Sequence, residues 1–90
     1  DKEVFLLKNK LKKLSTTAKL YLFGSRVDDN KQGGDIDLLI VSNSLTKKDI
    51  RKLRVDFFKA FGEQKLDILL DDGFFKDPFN KLIFKKSILL

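Results

Sequence analysis

The chain has no cysteine, no histidine and a single proline among its 90 residues. Without cysteine, neither disulfides nor a thiolate zinc site can hold the fold. The missing histidines remove the usual near-neutral acid/base group and the commonest transition-metal ligand, so any bound metal is expected to be a hard, oxygen-seeking ion. Long apolar runs are also lacking. None approaches the roughly 20 residues that span a bilayer, and the first residues lack the cationic, apolar, small-residue order of a signal peptide. These absences predict an intracellular, cytoplasmic protein with no membrane association. A chain of this length has room for one core and one site, so residues 1–90 are expected to form a single domain.

Against those absences, apolar residues make up 42% of the chain and include nine phenylalanines, enough for a compact core. Nineteen Lys and Arg against thirteen Asp and Glu leave a formal charge of +6. That field favours anionic partners, whether nucleotides, nucleic acid or an acidic protein, although a lysine-rich solvated surface accounts for it equally well.

Periodicity gives the elements. Val4, Leu7, Leu11 and Leu14 recur on one helical face, predicting an amphipathic helix over Lys2 to Leu14. Lys19 to Phe23 reads as a short buried strand running into Gly24, and Asp35 to Ser42 as a second strand. Between them, Ser25 to about Asn30 is expected to form a helical turn and Lys31 to Gly34 a polar loop. Ser44 or Thr46 caps the next helix, whose apolar face is Ile50, Leu53, Phe57 and Phe61 with Phe58 alongside, and Gly62 ends it. Leu66 to Leu70 gives a third strand, and Asp77 with Pro78 opens a last helix through about Lys86. The order predicts a layered α/β or α+β domain.

The chemistry sits in "LFGSRVDDNKQGGDIDLLI", Leu22 to Ile40. Strand residues alternate between faces, so Asp35 and Asp37 share one face while Ile36, Leu38 and Ile40 take the other. If the third strand pairs beside the second, Asp67 joins them. Carboxylates so crowded call for a cation, and Mg²⁺ binds one or two carboxylates while completing its shell with water and substrate phosphates. Gly24 lets backbone approach a ligand closely, Ser25 adds a hydroxyl donor, and Arg26 can fork onto a phosphate oxygen. Together these residues read as a triphosphate cradle beside a Mg²⁺ site. Taken singly, each has a plainer reading: Gly24-Ser25 as a turn, Asp35 and Asp37 as the solvent face of an edge strand, Arg26 as the partner of a nearby acid.

In these residues the chain resembles the minimal nucleotidyltransferases of the DNA polymerase β superfamily. Phe23, Gly24 and Ser25 are followed by nine residues and then Asp35, Ile36, Asp37 and Leu38. "FGSR" and "DIDLLI" are similar to the small prokaryotic members, and Asp67 in "KLDILL" matches their third aspartate. The resemblance covers the whole chain and implies a palm-like α+β fold, with a small mixed, twisted sheet of three or four strands and helices on one face. It implies Asp35, Asp37 and Asp67 as metal-binding and catalytic residues holding two Mg²⁺ ions, with Gly24 and Ser25 on the triphosphate. It further implies transfer of a nucleoside monophosphate, AMP from ATP, to a hydroxyl, and a role as the antitoxin of a pair whose partner is a helical HEPN-type protein. Asp28, Asp29 and Gly34 stand where many relatives carry Arg-Gly and a serine.

Other signals stay open. Lys47, Lys48, Arg51, Lys52 and Arg54 fit a solvated helix face or a docking surface for an acidic partner or RNA. Phe74, Phe75 and Phe79 fit core packing under the last helix or an exposed patch, and Ser87 to Leu90 fits an edge strand, a packed tail or an interface. A non-catalytic module that neutralises a partner sterically is the rival to an enzyme. Nucleic-acid binding is the remote alternative, because no basic stripe interleaved with aromatics is present.

Overall fold

The four-residue spacing of Leu7 and Leu11 becomes helix α1 (Lys2–Leu14), with both leucines buried. Lys12 and Lys13 fall in its last turn, where positive charge complements the carbonyl end of the helix dipole. The structure is a computed structural model and describes residues 2–24, 36–62 and 66–90. The expected helical turn after Ser25 and the glycine loop before Asp35 lie outside the described residues.

Among the described residues four strands, β1 (Lys19–Phe23), β2 (Ile36–Val41), β3 (Leu66–Asp71) and β4 (Ile88–Leu89), form one sheet in the order β3-β2-β1-β4. β1 runs antiparallel to β2 and β4, and β2 runs parallel to β3. A parallel neighbour requires a crossover, which α2 (Lys47–Phe61) supplies. The architecture is the mixed-sheet α+β fold that the element order predicts.

Register sorts the strand residues by face. Leu20, Ile36, Leu38, Ile40 and Leu66 join Leu7 and Leu11 of α1 and Ile50, Leu53 and Phe57 of α2 in one buried cluster. On the other face, α3 (Pro78–Lys86) lies across Tyr21, whose ring meets Phe84 edge-on at 5.1 Å. Leu39, on that face too, is fully buried. The expected single layer of helices is thus formed by α1 and α2, and α3 shields part of the opposite side.

Of the two candidate caps, Thr46 starts α2. Its hydroxyl accepts from the Asp49 N–H at 3.4 Å while the Asp49 carboxylate accepts from the Thr46 N–H at 2.9 Å, a reciprocal capping box. Thr46→Ala is expected to cost about 1 kcal/mol, read as a lower urea midpoint with an unchanged slope.

Asp77 caps α3 through the Phe79 N–H at 2.9 Å, with Pro78 in the first turn. The tail becomes an edge strand: Ile88 and Leu89 pair with β1, and the Leu90 N–H donates to the Leu20 carbonyl at 2.9 Å. The phenylalanine cluster divides. Phe75, at φ +51°, turns its ring onto Phe84 at 4.6 Å, whereas Phe74 and Phe79 remain 75% and 55% exposed.

Candidate active site

Asp37 stands opposite Asp67 in the parallel register of β2 and β3. Paired residues on neighbouring strands share a face, and strands lie about 4.8 Å apart, so the two carboxylates are side by side on the face away from Ile36, Leu38 and Ile40. On its other flank Asp37 stands opposite Phe23, the last residue of β1. Gly24 follows with φ +84°. A Cβ there would collide with Oδ2 of Asp37 and lie 3.0 Å from its Cγ. Glycine is therefore required twice over at this point, for its backbone conformation and for the room it leaves the carboxylate.

Three strands thus converge. The antiparallel β1–β2 pair sets Gly24 against Asp37, and the β2–α2–β3 crossover returns the chain so that Asp67 lies on the far side of the same carboxylate. Asp37 and Asp67 are both half-buried, with Gly24 exposed beside them. Their oxygens form the hard donor set that suits Mg²⁺. Among the described residues no group of three or more potential metal ligands is gathered. Asp35, Ser25 and Arg26, also expected in the site, lie outside the described residues, as do Asp28, Asp29, Lys31 and Gly34.

A third aspartate shares the face of Asp67 but serves a different purpose. Asp71, at the far end of β3, is buried, and its Oδ2 accepts from the Gly73 and Phe75 N–H groups at 2.8 and 3.1 Å. Its Oδ1 accepts from the Asn80 side-chain amide at 3.2 Å, also buried. This carboxylate fastens the turn after β3 to α3. Neither Asp71 nor Asn80 is singled out by sequence patterning; the one local hint is an aspartate followed two positions on by glycine, the makings of an Asx turn.

A family model described as a nucleotidyltransferase domain matches residues 6–89. The chain belongs to that family. The match runs from α1 into β4, so Gly24, Asp37 and Asp67 all fall within the nucleotidyltransferase domain. The chemistry of such domains is transfer of a nucleoside monophosphate, typically from an NTP with a divalent metal. No curated protein matches the chain. Among the described residues no helix is long and apolar enough to cross a membrane.

For a nucleotidyltransferase, Gly24→Ala is a sensitive probe. The methyl group would push the Asp37 carboxylate from its place, and under the catalytic role proposed below for Asp37 a displacement of about an ångström costs on the order of a hundredfold in rate. The expected result is a comparable fall in kcat with the fold retained, checked by steady-state assay beside far-UV circular dichroism.

Proposed function

We propose that the protein is a Mg²⁺-dependent nucleotidyltransferase that moves AMP from ATP to a hydroxyl on a helical HEPN-type partner, acting as the antitoxin of that pair. The observation that carries this reading is the register setting Asp37 beside Asp67, with Gly24 against the Asp37 carboxylate. ATP and the partner come from the resemblance through Phe23, Gly24, Ser25 and Arg26 and through Asp35, Ile36, Asp37 and Leu38.

Asp37 and Asp67, with Asp35, would hold Mg²⁺, which when bound lowers the pKa of an attacking hydroxyl and stabilises the leaving pyrophosphate. Gly24 and Ser25 receive the triphosphate, and Arg26 pairs with a phosphate oxygen. The acceptor oxygen attacks the α-phosphorus as the bond to the β-phosphate oxygen breaks. The hydroxyl proton passes to the Asp67 carboxylate, and pyrophosphate departs.

Calorimetric titration with ATP, with and without Mg²⁺, tests the site, and ATP labelled on its α-phosphate tests the transfer. The reading requires Mg²⁺-dependent binding and label retained on the partner, with none retained from the γ-phosphate. Absence of binding in both titrations would overturn it.

The exposed Phe74 and Phe79 favour a second reading, a module that covers its partner without chemistry. Replacing these rings with serine would then abolish neutralisation, whereas the aspartates of the site would be dispensable.

A further inference from the structure

β3 is an outer strand of the four-stranded sheet, and among the described residues no strand pairs along its far side. Open edges are ordinarily protected by a bulge, a proline or a lysine. β3 has no bulge, proline or lysine, and its two charges, Asp67 and Asp71, both lie on the face away from α2: its residues pair with β2 without interruption from Leu66 to Asp71, and its sequence is Leu-Asp-Ile-Leu-Leu-Asp.

A groove of about 460 Å³ follows this edge, touching Ile68, Leu69 and Leu70. Successive strand residues point to opposite faces, so a groove that reaches three in a row runs along the side of the strand. Ile50 of α2 adds to its apolar floor. The wall is cationic. Lys47, Arg51 and Arg54 recur at the spacing of one helical face and all line the groove.

We propose that this edge docks an extended acidic and apolar segment of a partner protein as an added strand beside β3. Its backbone pairs with the open N–H and C=O groups of β3, its apolar side chains enter the groove beside Ile50, and its carboxylates meet Lys47, Arg51 and Arg54. A second copy of the chain fits poorly, because two-fold edge pairing would bring two sets of the same cations together. Nucleic acid would satisfy the cations and leave the apolar floor unmatched.

The docked strand has a chemical consequence, which rests on the transfer proposed above. Residues directly opposed on neighbouring strands lie within about 5.5 Å, so one of its side chains sits beside Asp67. A serine, threonine or tyrosine there is the acceptor: its oxygen attacks the α-phosphorus of ATP, its proton goes to Asp67, and pyrophosphate leaves.

The test is an NMR titration of the nitrogen-labelled full chain with a short synthetic peptide whose alternate positions, those that face α2, carry valine and glutamate in turn, and whose intervening positions are threonine with one tyrosine. Two controls carry methyl groups on alternate backbone nitrogens, one in each phase, and a third replaces glutamate by lysine. Saturable shifts centred on Leu66 to Asp71 are expected, lost with methylation in one phase only and absent for the lysine peptide. Lys47→Gln, Arg51→Gln and Arg54→Gln together are expected to weaken binding at least roughly tenfold, in a variant whose own amide spectrum reports that it is folded.

Absence of saturable binding, equal binding by both methylated peptides or by the lysine peptide, or self-association of the free chain through β3 would each overturn the docking proposal. Mg²⁺ and α-labelled ATP then separate the two claims. A peptide that docks but stays unlabelled removes the acceptor role and leaves the docking surface. Label on a partner protein without docking at β3 overturns the surface and leaves the transfer.

Discussion

Asp37→Asn and Asp67→Asn are each expected to lower the rate of nucleotidyl transfer by on the order of a thousandfold, with the fold retained. Asparagine keeps the shape and volume of aspartate and removes the charge that, in the proposed mechanism, holds the divalent ion to which the triphosphate binds. Both residues occupy regular strand positions that pair through backbone groups, which the substitution leaves intact. Steady-state rates with saturating Mg²⁺-ATP, set beside urea midpoints, give both quantities from one preparation. Two variants with full neutralising capacity and no transferase activity would establish the steric module in place of the enzyme. A loss of neutralisation in step with the loss of transfer, with partner binding retained, is the outcome that catalysis requires.

The second large effect belongs to Asp71 and runs the other way. Asp71→Ala is expected to destabilise the fold by about 3 kcal/mol, because it removes charge-assisted hydrogen bonds from two turn N–H groups and leaves the buried Asn80 amide without its acceptor. The denaturation midpoint falls, while the rate per folded molecule is expected to stay near that of the parent protein, since the turn lies at the opposite end of β3 from Asp67. A rate that falls as steeply as the midpoint would mean that the two ends of the strand are coupled. Asp67 and Asp71 are thus the same residue type, on one strand and one face, and are expected to part cleanly in an activity-versus-stability measurement.

The elements were legible because their patterns are local. The helical spacing of Val4, Leu7, Leu11 and Leu14, the Asp77-Pro78 start and the Gly62 stop each act within a turn or two of chain. The pairing of Asp37 with Asp67 was legible only as a conditional, because periodicity says which face a residue takes and nothing about which strand lies next to it. Family resemblance supplied what spacing could not. One feature escaped both. The placement of α3 against Tyr21 depends on the turn that Asp71 fastens, a contact between a strand end and a helix several residues on. The choice left open for the phenylalanine cluster falls both ways: Phe75, at positive φ, packs on Phe84, while Phe74 and Phe79 stay in solvent despite equal hydrophobicity.

The order β3-β2-β1-β4 also has a temporal meaning. The site-bearing strands β1, β2 and β3 are adjacent in the sheet and are complete once Asp71 has been made, while β4, which seals the outer side of β1, comes from the far end of the chain. During synthesis β1 therefore waits with one margin unsatisfied until Ile88 and Leu89 emerge, and long-range pairings of this kind are slow to form. A chain cut before Ile88 would keep the strands that set Asp37 beside Asp67 and would present β1 as a second open edge, ready to adhere to its neighbours.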